Sequence, residues 1–266
     1  MNKINSPLEI YKLLPKSNCK QCQIPTCLAF AGAVIKGQKK LSDCPHLDKD
    51  LIERFEGKIE KHKTLEEQQR EFMETLKKEV VRIDFPSSAD RLGASFSADK
   101  LTIKCLNKNF SVDTKGNITS ECHVNSWIAV PLLNYVIICK GMDITQKWVP
   151  LRELKDGAQW IPLFEQRCEK PLKQLADNHM ELFDDMLSVF GGKPAEVSFD
   201  SDISLILYPL PKVPMLICYC QPEEDMESKL NVFFDSSADD NINIESLYYL
   251  GAGLVNMFEK IVSRRS

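Results

Sequence analysis

Four cysteines near the amino terminus carry the clearest chemistry in this 266-residue sequence, spaced Cys19-x2-Cys22-x4-Cys27-x16-Cys44. Three thiols inside nine residues can wrap one face of a compact inorganic group, and the fourth returns later to close the opposite corner. A cubane [4Fe–4S] cluster needs one thiolate on each iron, and this donor set suits it. Structural zinc is the rival, since it also accepts four thiolates. Zinc knuckles usually come as two facing Cys pairs, whereas Cys44 stands alone unless His46 completes a pair. The remaining cysteines, Cys105, Cys122, Cys139, Cys168, Cys218 and Cys220, are scattered.

The segment that holds the quartet differs from the rest in charge. Residues 1–50 carry eight lysines and four acids, a formal +4, and the other residues carry −8, for a total of −4. A cubane with four thiolates bears a charge of about −2, which the lysines offset; Lys20 lies inside the ligand loop, where simple solvation is the competing explanation. The acidic total argues against nucleic-acid binding by the whole surface. Apolar residues at 43% and charged residues at 27% are an ordinary globular balance.

The polar stretch Met1 to Ser6 is followed by no apolar run, so no signal peptide is expected. The most hydrophobic stretch, Trp127 to Cys139, is broken by Pro131 and Asn134 and is too short to span a bilayer. We therefore expect a cytoplasmic protein with no membrane segment. In that compartment clustered thiols serve metals or redox groups rather than disulfides.

The elements that must position the quartet are short. Pro7 to Leu14 reads as a helix with Leu8, Tyr11 and Leu14 on one face, ended by Pro15. Lys16 to Thr26 is a loop, and Leu28 to Lys36 is a second helix stopped by Gly37. A helix starting after Cys27 would turn its free N–H groups and positive dipole end toward the cluster. Asp48 to Val80 reads as a helical connector whose stripe of Leu51, Ile52, Phe55, Ile59, Leu65, Phe72, Leu76 and Val80 packs on a second domain.

Beyond Arg82, strands are expected at Leu101–Cys105, Asn109–Val112 and Ile118–Cys122, with Thr114–Asn117 as a hairpin turn. Helices are expected at Val124–Cys139, Gln159–Ala176 and His179–Phe190. Strands follow at Glu196–Phe199, Ile203–Tyr208, Met215–Cys220 and Leu230–Phe234, then a closing helix from Ile244 to Val262. The blocks imply an α+β class with a mainly antiparallel sheet. The expected domains are a small helical cluster domain at 1–47, a helical connector at 48–80 and a larger α+β domain at 81–266.

Several of these residues resemble a known family. Pro7-Leu-Glu-Ile-Tyr-Lys-Leu-Leu-Pro15, Asn18-Cys19, Pro25-Thr-Cys27-Leu-Ala-Phe-Ala31 and Asp43-Cys44-Pro45 resemble the cluster domain of the corrinoid iron–sulfur protein large subunit, of the acetyl-CoA decarbonylase/synthase system of anaerobes. The spacing is also similar to that of the B subunit of the Rnf electron-transport complex. The resemblance implies that Cys19, Cys22, Cys27 and Cys44 ligate a low-potential [4Fe–4S] cluster. It also implies a redox partner that is corrinoid-containing, in which the electron returns oxidised cobalt to its active state. Gln21 and Gln23 flank Cys22 where that family commonly has Gly, a departure that bears on hydrogen bonding to the cluster and removes no ligand. From Trp148 to Tyr248 the chain resembles an uncharacterised domain, with Leu210-Pro-Lys-Val-Pro-Met215 and Phe233-Phe-Asp235 among the matching pieces.

Four protein ligands leave no open site on the irons, so the cluster argues for an electron carrier. The competing readings are an enzyme with its active site in the C-terminal domain, fed by the cluster, and a cluster-based redox sensor or assembly factor. Asp177-Asn178-His179 starts like a cobalamin signature, but Leu182 stands where Gly is needed, so a surface histidine is expected. Cys122-His123 with Cys139 or Cys168 is a candidate second metal site, set against plain burial of small apolar thiols. Cys218 and Cys220 share a strand face and read as core. Gly191-Gly192-Lys193 lacks the rest of a phosphate loop. Arg152, Glu153, Asp235 and Asp239 are candidate pocket residues, with caps or surface ion pairs as the plainer explanation. Gly251-Ala-Gly253 in the last helix invites close approach of another backbone.

Overall fold

The computed structural model describes residues 3–60, 65–195, 201–224 and 226–265. Two compact units, Met1–Phe72 and Met73–Ser266, divide the chain.

The first unit contains α1 (Pro7–Leu13), α2 (Cys27–Ile35), a 3-10 turn at Leu41–Asp43, and α3 (Lys49–Phe55) running into a second 3-10 turn at Glu56–Lys58. Ser6 caps α1, its Oγ accepting from the Leu8 amide at 3.3 Å, and Pro7 occupies the first turn, where no amide is missed. The buried face of α1 is Ile10 and Leu14, whereas Leu8 is 60% exposed. The expected face of Leu8, Tyr11 and Leu14 is thus rotated, because Ile10 is the side chain drawn into the core with Phe30, Val34 and Ile35 of α2. Gly37, at φ +71°, ends α2 as its position suggested.

Ile4 forms a short parallel bridge with Ile59, its amide donating to the Lys58 carbonyl at 2.9 Å and its carbonyl accepting from Glu60 at 2.8 Å. This clasp brings Ile52, Phe55 and Ile59 onto the first unit's core. Helix α4 (Leu65–Val80) buries Leu76 and Val80 in the second unit's core. The apolar stripe read over 48–80 is therefore shared between two cores rather than laid on one.

In the second unit, a short α5 (Phe85–Ser88) precedes an antiparallel meander of β1 (Ser95–Ser97), β2 (Lys100–Cys105), β3 (Lys108–Asp113) and β4 (Ile118–Ser120). The Thr114–Asn117 turn is held by Asp113, whose carboxylate accepts from the amides of Lys115 and Asn117 at 2.9 and 2.8 Å. Helix α6 (Ser126–Ile138) is capped by Asn125, and the Arg91 guanidinium closes its other end on the carbonyls of Val136 and Cys139. Pro131 lies inside α6. A continuous helical stretch follows, formed by α7 (Ile161–Phe164), a π turn at Glu165–Glu169 and α8 (Lys170–Asn178); α9 (Glu181–Ser188) comes next.

The second sheet is antiparallel, built of β5 (Trp148–Pro150), β6 (Lys193–Pro194), β7 (Ile203–Leu210), β8 (Val213–Cys220) and β9 (Lys229–Asp235) in the order β5-β9-β8-β7-β6. The central strand β8 is buried along both faces, which explains its unbroken apolar run. The short α10 (Ala238–Asn241) and the long α11 (Ile244–Arg265) complete the chain. The expected strand at Glu196–Phe199 lies outside the described residues. The class is α+β with antiparallel sheets and a helical N-terminal region, as the sequence indicates.

Both glycines of Gly251-Ala-Gly253 serve close packing, toward different neighbours. A Cβ on Gly251 would sit 2.9 Å from the Phe164 ring and 3.1 Å from Cys168 Sγ, and one on Gly253 would sit 3.0 Å from Trp127 Cβ. Here the bare Cα supplies space, not an unusual dihedral.

Asp235 is neither a helix cap nor a surface ion partner. It is fully buried, and its carboxylate accepts from the Thr145 amide and hydroxyl, the Gln146 amide, and the Ser237 amide and hydroxyl at 2.6–3.0 Å. It thereby clamps the 145–147 loop to the turn after β9. Burial alone would raise its pKa, but the donors of Ser237 and Thr145 outweigh burial and hold it below the usual carboxylate range. Stability from such a group is complete above the unfolded value, about 3.9, and is lost as pH falls through the lower folded value. Asp235→Asn is expected to cost about 2–4 kcal/mol in the second unit's denaturant transition at pH 7. The gap from wild type should narrow below about pH 4; an equal gap at both pH values would show that the carboxylate charge contributes nothing.

Candidate metal centre

The chain from Pro15 to Thr26 coils tightly because four of its residues take left-handed backbone angles: Lys16 (φ +60°), Asn18 (+50°), Lys20 (+63°) and Gln23 (+65°). Such angles cost an L-residue other than Gly on the order of 1 kcal/mol each, least for Asn. The coil is pinned where Asn18 Oδ1 accepts from the Cys27 amide at 2.8 Å. Thr26 caps α2 in turn, its Oγ1 accepting from Ala29 at 3.1 Å. The fourth thiol comes from Cys44, placed by the 3-10 turn at Leu41–Asp43, where the Cys44 amide donates to the Leu41 carbonyl at 3.1 Å.

Cys19, Cys22, Cys27 and Cys44 all line one small concavity, together with Leu14, Ile24, Phe30, Lys20 and the prolines 15 and 45. Among the described residues no three Cys, His, Asp or Glu side chains are grouped to hold a single metal ion. Cys27 and Cys44 are buried and belong to the hydrophobic core, Cys22 is half-buried, and Cys19 is exposed. Burial pushes the Cys44 thiol up; the His46 amide opposes this, while the charges of Cys22, Cys27 and Cys19 add to it. Four soft donors around one apolar-walled space fit an iron–sulfur group, for which thiolates are the usual ligands.

The start of α2 is more occupied than its position suggested. Of its first three amides, Cys27 donates to Asn18 and Ala29 to Thr26, which leaves Leu28 without a partner among the described residues. The dipole still favours negative charge there.

Comparison with known proteins assigns the two halves separately. Residues 84–257, more than half of the chain, match the family described as "Domain of unknown function (DUF3786)". The chain belongs to the DUF3786 family. Residues 14–46 of this DUF3786 protein match a second family, described as "Putative Fe-S cluster". The chain is 58% identical to acetyl-CoA decarbonylase/synthase complex subunit gamma 1 of Methanosarcina thermophila over 48 residues, 18% of this chain and 10% of that protein. It is 55% identical to the corrinoid/iron-sulfur protein large subunit of Moorella thermoacetica over 40 residues, 15% of this chain and 9% of that protein. The chain thus spans about a tenth of the length of the curated relatives it matches. No solved structure matches it. These similarities support an iron–sulfur cofactor in the N-terminal unit.

Other sequence candidates do not assemble into sites. Cys122 and His123 line a cavity with Cys105, while Cys139 lies by Arg91 and Asn241 and Cys168 packs on Gly251. His179 is a partly exposed partner of Glu181, Nδ1 to Oε1 at 3.2 Å. Cys218 is buried in β8 beside Ser204, and Cys220 is half-buried. Arg152 lies at a small pocket with Glu165 and Glu169; Asp239 accepts from the Lys155 amide at 3.0 Å. No helix among the described residues is long and apolar enough to cross a membrane.

Gln23 gives the sequence departure a physical test, because its φ of +65° is one that Gly adopts freely. Gln23→Gly is expected to keep the metal content and to leave thermal stability within about 1 kcal/mol of wild type or above it. Gln23→Val, β-branched at the same angle, should lower both. Equal behaviour of the two variants in iron analysis and melting would show that this backbone angle imposes no constraint.

Proposed function

We propose that this protein is a one-electron carrier, with a [4Fe–4S] cluster on Cys19, Cys22, Cys27 and Cys44, serving a corrinoid-containing redox partner in one-carbon metabolism. The observation that carries the reading is the convergence of four thiols on one apolar concavity, within a segment similar to iron–sulfur subunits of known systems. When bound, a [4Fe–4S] group supplies one-electron redox chemistry.

The chain's own residues supply the rest. Cys27 and Cys44, fixed in the core, hold one side rigidly, and Leu14, Ile24 and Phe30 exclude water from it. Lys20, exposed next to Cys19, sets positive charge against the four thiolates. Exposed Cys19 marks the face through which a partner approaches closest to the metal. In this reading the carrier is cytoplasmic. The cavity in the second unit favours an alternative, an enzyme with its active site there that draws electrons from the cluster.

Anaerobically purified protein should contain about four irons per chain, be brown, and give a paramagnetic signal on reduction. Cys44→Ala should lose that signal. A colourless protein with one zinc would overturn the proposal. Because two ligands are core residues, removal of the metal by chelation should also lower the melting transition of the first unit and spare that of the second.

A further inference from the structure

The second unit contains a cavity of about 370 Å³ bounded by β2, β3, the start of α6 and the C-terminal half of α11. That volume lies at the lower end of the range typical of small-molecule sites, about 300–1,000 Å³. Its walls are apolar and partly aromatic, with Phe110, Trp127, Phe190 and Leu254 among them. Its charged lining is of one sign: Lys108, Lys260 and Arg264 are present and no Asp or Glu is. This occurs in the part of the chain whose net charge is negative. None of the three cations makes an ion pair among the described residues.

The end of α11 accounts for only part of this. Arg264, in the last turn, complements the negative C-terminal end of its own helix, whereas Lys260 lies a turn earlier. Lys108 comes from β3, on a separate element, and has no such role. The N-terminal end of the 13-residue α6 reaches the same cavity through Asn125, Trp127 and Ile128 and adds positive potential. Cations from two elements thus line an aromatic hollow whose own lining holds no acid, Glu121 sharing only the neighbouring groove with Lys108, and this gives the hollow a positive potential that suits an anion.

We propose that this cavity binds a small amphipathic organic anion, its apolar body against Trp127 and Phe110 and its acidic head group between Lys108, Lys260 and Arg264. The site is independent of the metal centre, and its test does not require a loaded cluster.

The probe pair is 8-anilinonaphthalene-1-sulfonate and its uncharged analogue N-phenyl-1-naphthylamine, titrated against the full chain by fluorescence and calorimetry. The sulfonate is expected to bind saturably, one per chain, and more tightly than the neutral compound. The double variant Lys260→Glu, Arg264→Glu, and separately Lys108→Glu, should weaken the sulfonate about tenfold or more. The neutral probe should stay within about twofold of its wild-type affinity. Raising salt to about 1 M, where the screening length falls to about 3 Å, should weaken only the sulfonate. All three cations are exposed, so melting of the variants should match wild type; should the Glu variants unfold, Lys260→Gln and Arg264→Gln carry the same comparison with a smaller loss. Absence of a saturable site, or equal response of both probes to charge and salt, would overturn the proposal.

Discussion

The structure of the first unit rests on one coincidence of roles: two of the four thiols that face the concavity are also core residues. Cys27 is the first residue of α2 and packs with Phe30 and Ile10, and Cys44 follows buried Leu41. The positions of these two thiols are therefore set by hydrophobic burial. The converse follows from the proposed ligand set, because a core of this size has little stability to spare and a group tying four chain positions together would add to it. Strained left-handed angles in the ligand loop persist because Asn18, Thr26 and the proposed ligand set hold its two ends.

The second unit solves a different problem, that of keeping buried polar groups satisfied within one large core. Asp235 takes five donors, and Asn241 donates to the carbonyls of Met142 and Lys212 while accepting from the Met142 amide. The Tyr135 hydroxyl donates to the Leu92 carbonyl at 3.0 Å and accepts from the Lys212 amide. Each of these polar groups joins segments distant in sequence, so loops with little regular structure are fixed as firmly as strands. The hollow between β3, α6 and α11 differs from these buried networks, since its three cations are exposed and its walls are apolar.

Much of this was legible in the sequence because local chemistry decided it. The cysteine spacing, the stop of α2, the 113–117 turn, strands β7 to β9 and the closing helix all carry signals within a few residues of themselves. What was hidden depends on partners far away. Strands β5 and β6 are three and two residues long and exist only by pairing with β9 and β7. The rotation of α1 follows from which side chain α2 receives, and pattern alone could not choose Ile10 over Leu8. Asp235 read as a possible cap because nothing nearby in sequence reveals that Thr145 and Gln146 come to meet it. The cationic hollow draws on β3, α6 and α11, whose meeting no spacing rule predicts. The glycine pair was visible, though not that its two members face different neighbours.

Proline 131 and glycine 253 belong together in a way neither shows alone. A proline has no amide hydrogen, so the carbonyl four residues earlier, that of Trp127, loses its helical donor. That oxygen lies 3.6 Å from where a Cβ on Gly253 would stand. One helix is short of a hydrogen and the other short of a methyl group, and the two deficits meet. A Cβ at position 253 would stand 3.0 Å from Trp127 Cβ, so glycine is what lets α11 cross the start of α6 this closely beside the aromatic wall.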